Sequence, residues 1–275
     1  MYMKFSIKNA IFHNATNFIN QELIMRNISK VLALHILMLG FLFAQHGSTT
    51  DGVSWQDAIV KLKEGNSRFI TSSPSEKHYL KDVETTAGGQ HPYAIVLTCS
   101  DSRVPPEILF DESIGRLFII RVAGNIVTPE LLGSIEYAAE HLGSQLLVVL
   151  GHTKCGAVNA AIAGGEAPPN IASILKHIQP SINLAKSEKI DAEHFTDFVI
   201  HRNVLYQIKA AMQESDVLKE LAHKGTFHIS GALYNVSNGE VTFMPEEQTT
   251  PTHGEEKPHS ETKPHSETTP KEEHK

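Results

Sequence analysis

The spacing of apolar residues along this chain changes rhythm several times, and each change marks an element. Trp55, Ala58, Ile59, Leu62 and Phe69 recur three and four residues apart, which gathers them on one face of a helix, and Ser54 stands where an N-cap would close the first turn. The spacing predicts an amphipathic helix over 54–70, whose apolar face can serve its own core or a partner subunit. Further on, short apolar runs over 93–98, 117–122, 145–150 and 226–233 alternate with helical patterns over 129–142, 157–163, 171–185 and 195–212. Strands alternating with helices build a parallel sheet. Asn238-Gly239, between apolar positions at 234–236 and 241–243, is a tight-turn signal and predicts a late hairpin at the sheet edge. The fold class is therefore α/β, a central, mostly parallel sheet flanked by helices.

The two ends depart from this pattern. Residues 31–44 form one continuous apolar run, with Arg26 and Lys30 just before it. That run is shorter than the roughly 20 residues of a membrane span and fits the roughly 7 to 15 of a signal-peptide apolar region. Residues 1–44 are expected to be an export signal cleaved after Ala44, giving a periplasmic protein with no stable membrane association. Met25 is an alternative start, and an uncleaved anchor or a buried helix are the other readings of the run. At the far end, Lys-Pro-His-Ser-Glu-Thr occurs twice, at 257–262 and 263–268, with no apolar residue to anchor it. Residues 246–275 are expected to be a disordered tail, whose His253, His259, His265 and His274 could bind metal loosely. Residues 45–245 remain as the folded domain.

Composition changes this picture little. Hydrophobic residues make up 41% of the 275 positions, enough for a full core. The formal net charge of -7 is concentrated in the tail, which holds eight glutamates against four lysines. No cluster of Lys and Arg interleaved with aromatics occurs, which excludes a nucleic-acid surface.

The chemistry lies in two cysteines. Cys99 follows the first predicted strand, His152 follows the third, and Cys155 comes three residues later. In open α/β sheets the carboxyl ends of the strands form the ligand crevice, so three soft ligands would meet at one edge if those strands are neighbours. Two thiolates and an imidazole suit Zn2+ and leave a fourth, open position. Cys155 would also sit at the start of a helix, where the thiolate form is favoured, and Gly151 and Gly156 would let the backbone pass close to the metal. By count alone, two cysteines in an exported chain form a disulfide. Asp101 and Arg103, two and four residues beyond Cys99, can both face a metal held there, and a disulfide needs neither.

Three blocks carry a resemblance: Cys99-Ser100-Asp101-Ser102-Arg103-Val104, Arg121-Val122-Ala123-Gly124-Asn125 and Gly151-His152-Thr153-Lys154-Cys155-Gly156. In this order they resemble the signature of the beta-class carbonic anhydrases, over roughly residues 53–243. The resemblance implies one Zn2+ per subunit held by Cys99, His152 and Cys155, and reversible hydration of CO2 to bicarbonate and a proton by a zinc-activated hydroxide. It further implies that Asp101 and Arg103 orient that hydroxide, and that Asp101 can move onto the metal in an inactive state. Gln90 matches a substrate hydrogen-bonding residue supplied by the neighbouring subunit, Phe118 and Tyr137 match apolar pocket positions beside CO2, and Gly156 belongs to the substrate side. A homodimer or dimer-based tetramer follows, with the N-terminal helix packing on a partner subunit. Val96 stands where the bicarbonate-regulated subgroup has Trp, so the chain is similar to the plant-like subgroup.

Two thiolates cancel the ion's charge, so such a site should acidify water less than three imidazoles would, and hydration should rise through alkaline pH. His91, His177, His201 and His228 are candidate proton carriers. The competing functions are hydrolysis of a CO2 analogue such as COS or CS2, and a non-catalytic zinc or redox protein built on the same cysteines.

Overall fold

The computed structural model describes residues 52–246; the expected signal at 1–44 and, but for Glu246, the expected tail lie outside them. The strands are β1 (Ala94–Thr98), β2 (Leu117–Arg121), β3 (Leu146–His152), β4 (His228–Tyr234) and β5 (Val241–Phe243). The helices are α1 (Trp55–Ile70), α2 (Tyr79–Thr86), α3 (Pro106–Leu109), α4 (Pro129–Glu140), α5 (Gly156–Ala163), α6 (Pro169–Leu175), α7 (Gln179–Ser187), α8 (Phe195–Glu214) and α9 (Asp216–His223). One sheet runs in the order β2-β1-β3-β4-β5. Its first four strands are parallel, and β5 closes it antiparallel through the Asn238-Gly239 hairpin.

β1 and β3 are buried along their whole length because helices cover both sheet faces. Alternate residues serve opposite faces. Ile95, Leu97, Leu147 and Val149 pack with Leu132 and Ile135 of α4, Val204 and Ile208 of α8 and Leu218 of α9. Ala94, Val96, Leu146 and Val148 pack with Ala58 and Leu62 of α1. The helix expected to pack on a partner subunit thus directs its buried residues onto its own sheet. Ser54 caps it as expected, accepting from the Asp57 amide, and Trp55 stacks on His228 with ring centroids 4.2 Å apart. Gly65 lets α1 lie against the Phe110 carbonyl, which a Cβ there would meet at 1.8 Å.

The single helix expected over 171–185 is two, α6 and α7. Pro180 is the cause, since it lacks an amide to continue an α-helical ladder and is suited to a first turn, where it sits in α7. Helices α2, α3 and α9 were not anticipated. α2 buries no residue and so has no core-facing stripe, and α3 is four residues long. α9 follows α8 after one residue, Ser215, whose hydroxyl accepts from the Leu218 amide and donates to Glu136 at 2.6 Å.

A buried carboxylate just after α3 ties down the end of α1 and the loop that follows it. The Asp111 side chain is 3% exposed, 2.5 Å from Arg68 Nε and 2.9 Å from Lys77 Nζ, and it accepts from the Ser75 amide and hydroxyl. Burial raises its pKa, but the donors from Arg68, Ser75 and Lys77 outweigh that and hold the carboxyl well below the usual carboxylate range. A depressed folded-state pKa gives stability that is complete above the unfolded value, about 3.9, and is lost as pH falls through the folded value. Asp111→Asn tolerates the left-handed backbone there (φ 49) and removes the charge. It is expected to cost about 2 kcal/mol in urea unfolding from neutral pH down to about 4, with the gap to wild type closing below that. A pH-independent gap would show that the charge is not what anchors the loop.

Candidate metal centre

The chain leaves β1, crosses to β2 on one side, and returns to β3 on the other. This reversal opens the crevice between the carboxyl ends of β1 and β3, where open α/β sheets bind ligands. The register pairs Thr98 with Leu150, and Thr98 Oγ1 donates to the Leu150 carbonyl at 2.9 Å. Cys99 therefore emerges beside the end of β3, which terminates in His152. Lys154 takes a left-handed conformation, φ 57, turning the chain so that Cys155 returns to the same spot as the N-cap of α5.

Ligand atoms of Cys99, His152 and Cys155 all lie within 4.8 Å of one another, and all three residues are buried. The two sulfurs are 4.0 Å apart and both cysteines are free thiols. Two sulfurs about 2.3 Å from a shared tetrahedral ion would be about 3.8 Å apart, so the pair fits a metal as it stands. The imidazole fits too. His152 Nδ1 lies 3.0 Å from the Thr153 carbonyl, which can only accept, so Nδ1 carries the proton and Nε2 presents a lone pair. That Nε2 is buried and has no protein hydrogen-bond partner. A buried acceptor left bare costs free energy, and a ligand-oriented imidazole whose other nitrogen is tied to a carbonyl is the usual state of a metal-binding histidine. The hydrogen bond between the two sulfurs draws the Cys99 thiol well below its ordinary pKa, against the effect of burial, and pushes the Cys155 thiol up. A divalent cation would let both be thiolates.

Asp101 and Arg103 flank the cluster as a closed pair. Arg103 donates Nε to Asp101 Oδ1 at 2.9 Å and Nη2 to Oδ2 at 2.7 Å, and its amide adds a third bond to Oδ1 at 3.0 Å. These bonds, the Arg103 side chain foremost, hold the Asp101 carboxyl well below the usual range, so it is ionised and can only accept. Arg121, at the end of β2, opens the second of the three sequence blocks, which assigns it no role. Its Nε donates to the Cys99 carbonyl at 3.2 Å and its Nη2 to the Asp101 carbonyl at 2.6 Å, bracing the segment that carries both groups. Behind the sulfurs, the Gly124 amide donates to Cys99 Sγ at 3.3 Å.

The two glycines have different surroundings. A Cβ at Gly151 would meet Val204 Cγ2 at 2.6 Å, so packing on α8 requires it, whereas a Cβ at Gly156 meets nothing within 4 Å.

Gln90, Phe118 and Tyr137 are not brought to this cluster. Gln90 precedes β1 while Cys99 follows it, and the five-residue strand between them spans about 17 Å. Phe118 lies opposite Ile95, four residues short of Cys99, about 13 Å in the strand direction. Tyr137 sits in the last turns of α4, next to Ala138, whose carbonyl accepts from the Ser144 amide; the Ser144 hydroxyl in turn donates to the Pro92 carbonyl. All three are thus at or toward the far edge of the sheet within their own chain. Tyr137 is also 48% exposed.

Residues 94–241 match the family model described as carbonic anhydrase. "Carbonic anhydrase 2" of Mycobacterium tuberculosis is 37% identical over 185 residues, covering 65% of this chain and 87% of that one. Among solved structures, the beta-carbonic anhydrase CcaA is 27% identical with a TM-score of 0.56, covering 69% of this chain and 90% of its own. A tetrameric beta-carbonic anhydrase of Sordaria macrospora is 26% identical with a TM-score of 0.54, covering 58% of this chain and 84% of that one.

Proposed function

The chain belongs to the beta-class carbonic anhydrases, enzymes of reversible CO2 hydration, and from that premise we propose that its catalytic ion is zinc, held by Cys99, His152 and Cys155, one per subunit. The observation that carries this is the bare, buried Nε2 of His152 set against two thiols 4.0 Å apart. Zinc there supplies a Lewis acid that makes a water nucleophilic at workable pH, less strongly with two thiolates about it than with three imidazoles.

The protein's own groups do the positioning. Asp101 is ionised and acceptor-only, so it takes a hydrogen bond from the reacting water and turns a lone pair toward the CO2 carbon. Arg103 keeps Asp101 in that role by engaging both its oxygens, and so would keep the carboxylate from binding an ion held by the cysteines and His152. Because Asp101 is already ionised far below neutrality, an alkaline rise in rate reports the reacting water and not this carboxylate.

Gln90, Phe118 and Tyr137 point to an oligomeric active unit. They lie away from the metal cluster of their own chain, and the Sordaria macrospora relative is tetrameric. We infer that they complete a neighbour's site in a dimer or a dimer-based tetramer, with Gln90 donating to substrate and the two aromatic rings walling the CO2 pocket. Export to the periplasm rests on the apolar run at 31–44 and is part of the same proposal.

In stopped-flow assays wild type is expected to hydrate CO2 faster as pH rises through the alkaline range, and Asp101→Asn to keep its metal but lose about 10²-fold in kcat/KM. Undiminished hydration by metal-loaded Asp101→Asn would remove Asp101 from the mechanism. Co-expression of Cys155→Ser with Gln90→Ala should yield hybrid dimers with one intact site each, about a quarter of wild-type activity in a random mixture. Activity no higher than that of the separate variants would place Gln90 in its own subunit's function.

A further inference from the structure

Helix α8 carries two amide side chains in the core, Asn203 and Gln207, each 1% exposed. They sit one turn apart among Val199, Ile200, Val204 and Ile208, a face where apolar residues would pack without further requirement. Each polar atom of the pair is engaged. Asn203 Nδ2 donates to the Gly124 carbonyl at 2.9 Å, and Asn203 Oδ1 accepts from Gln207 Nε2 at 3.1 Å. Gln207 Oε1 accepts from the Val127 amide at 2.8 Å, and its Nε2 also donates to the His177 carbonyl at 3.1 Å.

The backbone so gripped is the turn behind the metal centre. The Val122 amide donates to the Thr98 carbonyl, and the turn is tightened by the bond from the Asn125 amide to the Val122 carbonyl. Gly124 and Asn125 are both left-handed, φ 77 and 45, a conformation that Gly adopts freely and that Asn tolerates better than most residues. A Cβ on Gly124 would meet Ile178 Cδ1 at 2.9 Å. Such a turn persists where its surroundings over-determine it, and the amide pair holds it at two points, the carbonyl of Gly124 and the amide of Val127. A product of this conformation is a backbone donor aimed at a ligand sulfur from behind, Gly124 N–H to Cys99 Sγ at 3.3 Å.

We propose that Asn203 and Gln207 are positioning residues for the metal centre, acting through the 122–127 turn to keep the Gly124 amide on the Cys99 sulfur. This rests on the zinc reading above. A backbone donor on a thiolate withdraws charge from it and fixes its direction, and loss of comparable outer partners typically weakens metal binding 10- to 100-fold. The two amides touch neither metal nor substrate, and their effect passes through one peptide group.

Asn66 provides a matched comparison. It is a core amide, 4% exposed, that also grips backbone at several points, the carbonyls of Leu109 and Gly239 and the amide of Val241, but on the opposite sheet face, against α3 and the hairpin. The test measures zinc dissociation by chelator competition, and the thiolate-to-metal charge-transfer band after cobalt(II) replacement, for the full chain, Asn203→Ala, Gln207→Met and Asn66→Ala. Gln207→Met keeps the volume and removes the polar atoms, so it gives the answer if Asn203→Ala does not fold. The expected result is zinc held 10- to 100-fold more weakly with a shifted cobalt band in both α8 variants, and an unchanged band with affinity within about twofold in Asn66→Ala. Wild-type affinity and spectrum in the α8 variants would overturn the proposal, as would an equal loss in Asn66→Ala. A wild-type chain that takes up neither metal would overturn the zinc reading itself.

Discussion

Two thiols 4.0 Å apart and a buried imidazole nitrogen with no partner make a cluster that the apoprotein stabilises poorly. The two sulfurs cannot both ionise so close together, because two thiolates repel, and a lone pair shut away from water has lost its hydration without compensation. A divalent cation resolves both at once. Much of the domain can be understood as the means of assembling that cluster. The sheet order makes β1 and β3 neighbours at the point where the winding reverses, which sets the end of one strand, carrying Cys99, beside the end of the other, His152.

Around the ligands the structure is braced through the backbone. Arg121 holds the carbonyls of Cys99 and Asp101, Thr153 holds His152, and the hairpin holds Thr153, whose amide donates to the Tyr234 carbonyl and whose hydroxyl accepts from the Val236 amide. Asp101, two residues beyond Cys99, is the acceptor-only carboxylate of the centre. It is kept ionised and turned by Arg103, whose side chain is half exposed. An exposed guanidinium adds little to stability, so this pair is better understood by what it does to Asp101 than by what it contributes to folding.

The sequence made the fold class, the four parallel strands, the edge hairpin and the capped first helix legible, because each rests on a local signal: apolar period, a β-turn dipeptide, an N-cap serine. The ligand trio was legible for the same reason, since Cys99 and His152 sit at strand ends and Cys155 at a helix start. What escaped was set by tertiary contact. Gly151 looked like room for a metal and is room for Val204. Asn203 and Gln207 did carry a signal, two amides at i and i+4 inside an apolar stripe, but only the fold reveals that the partner of that stripe is the turn behind Cys99.

The most direct test of the central claim is zinc-edge X-ray absorption on the purified full chain at one equivalent of metal. The account predicts two sulfur scatterers at about 2.3 Å, with one imidazole nitrogen and one further light atom at about 2.0 Å. A shell of nitrogen and oxygen alone, with Cys99 and Cys155 recovered as a disulfide, would contradict it.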